Sequence, residues 1–157
     1  LDELVKKNIS SKRLFFETNL KKSIDGSDAI FIAVGTPSRE TDGHADLSYV
    51  YEVAEEIAEC LGHYSVIVNK STVPIGTGKK VHEIIKNKKP KFDFDVASNP
   101  EFLREKHANL DFINSDMIIF GGDRNISTHG SSHFYNSIDF KTVASMASTG
   151  VDIMGAF

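Results

Sequence analysis

The sequence predicts an α/β fold, a doubly wound parallel sheet with helices on both faces. Short apolar runs of strand length alternate along the chain with longer segments whose apolar residues recur at helical spacing. The run Ala29 to Val34 is apolar throughout, which is typical of a strand buried on both faces of a parallel sheet. Strands and helices in alternation indicate consecutive βαβ units with right-handed connections. These observations together predict the fold class.

Three small elements are predicted ahead of that apolar run. The spacing of apolar residues predicts short helices over 1–5 and 20–24, and the pair Phe15–Phe16 between them predicts a short strand. Gly26 closes the second of these helices, because glycine readily ends a helix. All three elements come before the first long strand of the sheet.

Two longer helices and three further strands are predicted after the apolar run. Apolar residues at helical spacing predict a helix over 47–61, and Asp46 is placed to cap its amino end. A second helix is predicted over 77–87. The remaining predicted strands lie at 66–69, 93–97 and 117–121. All four strands, the apolar run included, are expected to run parallel in one sheet.

Length and composition indicate one globular domain. The chain has 157 residues, of which 40% are hydrophobic and 25% charged, as in ordinary soluble proteins. A net charge of −4 gives no bulk attraction to nucleic acid or anionic membranes, and no apolar run reaches spanning length. Cys60 is the single cysteine, so no internal disulfide is expected, and its place on an apolar helical stripe predicts a buried thiol. Without a secretory signal pattern, a cytoplasmic protein is expected.

The ordered domain is expected to end near residue 123. From Arg124 onward Ser, Thr and Gly recur without a clear period, so 124–157 is interpreted as a poorly determined tail with at most a weak helix over 134–146. His129 and His133 are four residues apart, but no third ligand accompanies them, so no metal is expected.

Polar segments follow three of the predicted strands, namely Gly35–Pro37, Lys70–Gly78 and Ser98–Glu105. In open α/β sheets, ligands bind outside the carboxyl ends of the strands. The three segments carry hydroxyls, carboxylates and a guanidinium, so they predict a binding crevice at that edge of the sheet.

Two features of this edge each have two interpretations. Gly76–Lys79 lacks the first glycine of a mononucleotide phosphate loop, so it is either an anion site at a helix start or a plain helix start. Glu101 and Glu105 lie four apart, so they either serve as acid and base or form a solvated turn with Arg104.

The glycine fingerprint of dinucleotide domains, G-x-G-x-x-G, is absent from the chain. Its absence either excludes that class or means that the first βαβ unit is missing, and the second interpretation is favoured.

Four segments in order resemble the UDP-glucose 6-dehydrogenases of the UDP-glucose/GDP-mannose dehydrogenase family. They are Phe31–Pro37, Asp42–Val50, Lys70–Gly78 and Ser98–Glu105. The resemblance extends from Leu1 to about Asp123. It implies a Rossmann-like sheet from which the first βαβ unit is lacking, so residues 1–123 would be a partial NAD-binding domain.

The resemblance also implies an activity and a set of site residues. The family oxidises UDP-glucose to UDP-glucuronate, reduces two NAD+ and passes through a cysteine-bound thioester. Carried over by motif, Thr36, Thr72 and Glu105 would contact NAD, and we expect them to converge at one edge of the sheet. Thr72 and Glu105 would also lie near the catalytic water, and Glu101 would be the base for thioester hydrolysis. The residues implied to hold UDP-glucose are Glu101, Phe102, Leu103, Arg104 and Glu105.

Other family features are not recognised in this sequence. The resemblance implies a glycine-rich first turn, a catalytic cysteine and the dimerisation helix of a homo-oligomer. We therefore expect an internal piece of the dehydrogenase that is inactive alone. The alternative is a non-catalytic nucleotide-binding module, or one subunit of a split dehydrogenase, and the neighbouring reading frames would discriminate between these possibilities.

Overall fold

A computed structural model of the chain describes residues 1–100, 106–108, 111, 118–122 and 143–147. Its helices are α1 (Asp2–Ser10), α2 (Leu20–Ile24), α3 (Ser48–Cys60) and α4 (Thr77–Lys88). Its strands are β1 (Ala29–Ile32), β2 (Val66–Asn69), β3 (Asp95–Ser98), β4 (Ile118–Gly122) and β5 (Val143–Ala147). Strands and helices alternate from β1 to β3, so the predicted α/β class is confirmed.

The five strands form one sheet in the order β1-β2-β3-β4-β5. β1, β2 and β3 are parallel, with Ala29 opposite Val66 and Val66 opposite Asp95. β4 pairs with β3 in the antiparallel direction, with Ala97 opposite Gly122. The prediction that the strand near 117–121 is parallel to the others is therefore wrong. An apolar run predicts a strand but not its direction, because direction depends on how the connecting segment returns to the sheet.

Two further predictions from apolar spacing are wrong. The weak helix expected in the tail is contradicted over 143–147, where β5 runs parallel to β4. Phe15 and Phe16 do not form a strand, and their side chains are 74% and 78% exposed. Strand preference reflects packing against neighbouring strands, so the sequence of a short segment does not decide whether it pairs.

The core lies between one face of the sheet and the pair α3 and α4. Ile32 and Ile67 point to this face, where they pack in one cluster with Ile57 of α3 and Ile85 of α4. These side chains are at most 1% exposed. Because side chains alternate along a strand, Val66, Val68 and Ala97 lie on the opposite face and form a separate cluster.

The starts of both long helices agree with the sequence. Helices predicted at 47–61 and 77–87 are observed at Ser48–Cys60 and Thr77–Lys88. Gly76 precedes α4 with φ of 92°, a left-handed conformation that glycine adopts without strain. Both helices begin at the end of the sheet where β1 and β2 finish, so their amino ends border the predicted crevice.

Candidate functional site

Side-chain hydrogen bonds join the carboxyl ends of β1 and β2 in both directions, including a long contact of 3.4 Å from the Ser71 hydroxyl to the Ile32 carbonyl oxygen. The two shorter bonds define the site. The Thr36 hydroxyl donates to the carbonyl oxygen of Thr72 at 3.0 Å. The Ser71 hydroxyl donates to the carbonyl oxygen of Val34 at 2.7 Å. Each bond links a side chain of one strand-end segment to the main chain of the other. We call this pair of bonds the strand-end clasp.

The third strand end lies beside the second. Asn69 and Ser98 are the last register partners of β2 and β3, and the Asn99 amide donates to the Asn69 carbonyl oxygen at 2.9 Å. Ser98 and Asn99 are both buried, at 8% and 4% exposure. The polar segments after all three parallel strands therefore begin at one edge of the sheet, as the crevice prediction requires.

The structure brings together two of the residues implicated by the family resemblance. Thr36 and Thr72 lie on neighbouring strand ends and are joined directly by the clasp. Thr36 is half-buried, whereas Thr72 is exposed. The other implicated residues lie outside the described residues: Glu101, Phe102, Leu103, Arg104 and Glu105. The functional roles of all seven residues stay predictions.

The clasp constrains what the Thr36 hydroxyl can offer to a ligand. A threonine hydroxyl has one proton to donate and two lone pairs to accept with. The proton is already given to the Thr72 carbonyl oxygen. Toward the crevice, Thr36 therefore acts as an acceptor. It suits an O–H or N–H donor, such as a ribose hydroxyl or a carboxamide, rather than a phosphate oxygen.

The loop that follows Thr36 is a tight hairpin. Ser38 pairs with Ala45 in an antiparallel bridge, and Arg39 forms an ion pair with Asp42 at 2.7 Å. The loop closes where the Asp46 amide donates to the Pro37 carbonyl oxygen at 2.7 Å. This closure fixes the residue next to Thr36, so the hairpin contributes to the geometry of the crevice edge.

Asp46 connects the hairpin to the start of α3. The N-cap of α3 is Leu47, which makes no side-chain capping bond, so Asp46 lies one position before the predicted cap. From there its Oδ1 accepts the amide N–H of Ser48 at 3.0 Å. That hydrogen bond is the main reason why the pKa of Asp46 lies below its usual range. The carboxylate is therefore held in its charged form at the helix start, where negative charge is favourable.

The start of α4 is organised by a threonine. The Thr77 hydroxyl donates to the Pro74 carbonyl oxygen at 2.7 Å, and Thr77 is 2% exposed. Gly76 at the N-cap has no side chain to occupy the helix end. This geometry is compatible with both interpretations of the Gly76–Lys79 turn, as an anion site or a plain helix start.

Two site residues were not identified by sequence reasoning. Ser71 carries half of the clasp, and its hydroxyl at a strand end was the available signal. Asn69 is 1% exposed, and within the described part of the chain neither Oδ1 nor Nδ2 of its side chain has a hydrogen-bond partner. The signal for Asn69 was a carboxamide at the end of a strand whose other residues are valine and isoleucine.

Cys60 is half-buried rather than fully buried, so the prediction of a buried thiol is only partly right. Its side chain packs against the main core cluster at the carboxyl end of α3. Within the residues that the structure describes, no group of three histidine, cysteine or carboxylate side chains is placed to hold a metal ion. No described helix has the length and apolar character needed to cross a membrane.

Three parallel strands with polar segments gathered at their carboxyl ends form the arrangement at which open α/β domains bind ligands. Residues 1–139 match the family model for the NAD binding domain of the UDP-glucose/GDP-mannose dehydrogenase family. The chain therefore belongs to this family, and the cofactor of the matched domain is NAD.

Two curated relatives are UDP-glucose 6-dehydrogenases. The one from Rhizobium meliloti (strain 1021) is 55% identical over 123 residues, which cover 78% of this chain and 28% of the relative. TuaD of Bacillus subtilis (strain 168) is 51% identical over 122 residues, which cover 77% of this chain and 26% of the relative. The chain thus spans little more than a quarter of the relatives' length.

Solved structures support the same fold. A UDP-glucose dehydrogenase from Pyrobaculum islandicum superposes with a TM-score of 0.82 at 35% identity over 93% of this chain and 34% of that one. A ternary complex of GDP-mannose dehydrogenase from Pseudomonas aeruginosa superposes with a TM-score of 0.83 at 31% identity, covering 93% of this chain and 35% of that one. The Rossmann-type dehydrogenase fold predicted from the sequence is confirmed.

Proposed function

We propose that this chain supplies part of the NAD-binding domain of a UDP-glucose 6-dehydrogenase. That enzyme would oxidise UDP-glucose to UDP-glucuronate and transfer two hydrides to two NAD+. The observation that carries the proposal is the juxtaposition of Thr36 and Thr72 at the carboxyl edge of the sheet. The 55% identity to a relative of that name supports this substrate. We place the protein in the cytoplasm, where NAD and nucleotide sugars are used.

The proposed roles belong to residues that come after the strands in the sequence. Thr36 accepts a hydrogen bond from NAD, and Thr72, which is exposed beside it, contacts NAD and orders the water that hydrolyses the thioester. Glu105 lies near the same water, and Glu101 serves as the base. UDP-glucose is held by the segment Glu101–Glu105.

The thiolate of the reaction is not Cys60. α3 begins at the crevice edge and extends over 13 residues to Cys60, which places that thiol about 20 Å away along the helix axis. A thioester step needs a nucleophile within bonding reach of the aldehyde intermediate. We therefore propose that the nucleophile is supplied by polypeptide other than these 157 residues.

The first test uses the chain alone. The purified 157-residue chain is mixed with UDP-glucose and NAD+, NADH absorbance is followed, and NAD+ is titrated by calorimetry. We expect no turnover and no micromolar affinity, because the chain lacks the glycine-rich turn that holds the pyrophosphate. Sustained turnover by the chain alone would show that the whole enzyme is present.

The second test asks whether residues 1–123 can replace the matched segment of a working dehydrogenase. Residues 1–123 replace the matched segment of the Rhizobium meliloti relative, and the chimera is assayed for NADH formation with UDP-glucose. We expect turnover, and Cys60→Ala in the chimera is expected to preserve it. A folded chimera that binds NAD+ but never oxidises UDP-glucose would favour the alternative of a non-catalytic nucleotide-binding module.

A further inference from the structure

We infer that Ser71 is a positioning residue for the cofactor edge, and that its hydroxyl sets the place of Thr36. This inference rests on the proposed function, because it assigns Ser71 to the same site. Ser71 can act in this way because the backbone pairing of β1 and β2 stops before Thr36.

The ladder between β1 and β2 ends before the functional segment begins. Ile32 and Asn69 are the last register pair, and the amides of Lys70 and Ser71 both reach back to the Ile32 carbonyl oxygen, at 2.9 and 3.3 Å. Val34 therefore lies beyond the regular pairing of the two strands. The Ser71 hydroxyl reaches its carbonyl oxygen at 2.7 Å and extends the connection by two residues.

Thr36 depends on that extension because of the residue between it and Val34. Gly35 has no heavy atom within 4 Å of the position that a Cβ would take. A glycine in open space leaves the backbone free to rotate. The Ser71 bond fixes Val34, and the closure of the hairpin fixes Pro37. Only Gly35 and Thr36, between these two points, are left to change their backbone conformation.

The two bonds of the clasp reinforce each other. Ser71 holds Val34 so that Thr36 comes within 3.0 Å of the Thr72 carbonyl oxygen, and Thr36 then holds the segment that carries Ser71. Ser71 is half-buried, so its bond competes less with water than an exposed one would. The acceptor lone pairs of Thr36 are thereby aimed in a fixed direction.

The test compares three variants of the full 157-residue chain by NMR. Ser71→Ala removes the hydroxyl, and Ser71→Thr keeps it. The control is Ser23→Ala, because the Ser23 hydroxyl also donates to a main-chain carbonyl, at 3.0 Å, but in α2. The readouts are the χ1 couplings of Thr36 and the hydrogen exchange of the amides at 70 and 71, which donate to the Ile32 carbonyl oxygen.

We expect Ser71→Ala to average the Thr36 χ1 couplings over rotamers and to speed exchange of the amides at 70 and 71 by about fivefold, the effect of one ordinary hydrogen bond. Ser71→Thr and Ser23→Ala should match the parent chain. The inference is overturned if Ser71→Ala leaves Thr36 unchanged. It is also overturned if exchange rises equally at core amides such as Ile67, since that would be a general loss of stability.

A second arm measures the cofactor in the chimera described above. Ser71→Ala is expected to raise KM for NAD+ by about fivefold with kcat little changed, and Ser71→Thr is expected to restore it. An unchanged KM would contradict the inference. If the parent chimera has no activity, the proposed function fails, while the NMR comparison still decides the role of Ser71.

Discussion

Asn69 is a polar residue in an apolar place, at the end of the central parallel strand. By alternation along β2 its side chain lies on the same face as Ile67, which packs against α3 and α4, and its carboxamide has neither donor nor acceptor partner among the described residues. A buried polar group without a partner costs about 1–3 kcal/mol, because it loses its hydrogen bonds to water. The residue therefore lowers the stability of the domain at the end of β2.

Asn69→Leu is expected to raise the free energy of unfolding by about 1 kcal/mol, because leucine has a similar shape and no polar group to satisfy. Urea unfolding measures this as a higher midpoint with an unchanged slope. Asn87→Leu, the same substitution at an exposed site in α4, is the control and should change stability by less than about 0.5 kcal/mol. A lower midpoint for Asn69→Leu would mean that the carboxamide is satisfied in solution.

At the scale of elements, the carboxylate of Asp46 accepts one main-chain N–H at the start of α3. The Ser48 amide N–H lowers the pKa of Asp46, so the charged form of this carboxyl is more favourable in the folded state. Its contribution is complete above the unfolded pKa and is lost as pH falls through the lower folded pKa. The helix start is therefore sensitive to acid.

Asp46→Ala is expected to lower the melting temperature at neutral pH, and Asp46→Asn should retain much of the stability because an amide oxygen still accepts the N–H. The gap between Asp46→Ala and the parent should narrow as pH falls below the folded pKa of Asp46. Melting curves from pH 7 to pH 2 measure this. Glu52→Gln, on the exposed side of α3, serves as the control and should show no such convergence. A gap that is constant across this range would argue against a charged cap.

The helices and parallel strands were predictable because each rests on a local signal. The stripe within 47–61, the carboxylate of Asp46 and the glycine at 76 specify where helices lie and begin. The direction of β4 was not predictable, since pairing partners and connection geometry are properties of the assembled sheet. The strand ends predicted that Thr36 and Thr72 converge at one edge, but the hydrogen bonds of the clasp were not predictable, for a similar reason. The bond between Thr36 and Thr72 joins residues that are 36 positions apart in the sequence, and no rule of sequence spacing links such a pair.

At the scale of the whole molecule, several large apolar side chains within residues 1–31 are exposed. α1 has no buried residue, and Leu1 and Leu4 are 79% and 55% exposed. Phe15 and Phe16, which follow α1, are the most exposed aromatic side chains in the described part of the chain. β1, the strand at the edge of the sheet, adds Phe31 at 41% exposure. Exposed apolar groups of this kind favour association.

The 157-residue chain is therefore expected to self-associate at high concentration, and Phe15→Ser combined with Phe16→Ser is expected to reduce this. Their melting temperature should be nearly unchanged, because side chains that are already exposed contribute little to the free energy of unfolding. Sedimentation velocity over a concentration series measures the association, and differential scanning calorimetry measures the melting temperature.

Ile75→Ser, which removes a 55% exposed apolar side chain near α4, is the control and should leave association as it was. If Ile75→Ser reduced self-association as much as the double variant, general surface hydrophobicity would be the cause of association. A large fall in melting temperature for the double variant would show that the phenylalanines pack in solution.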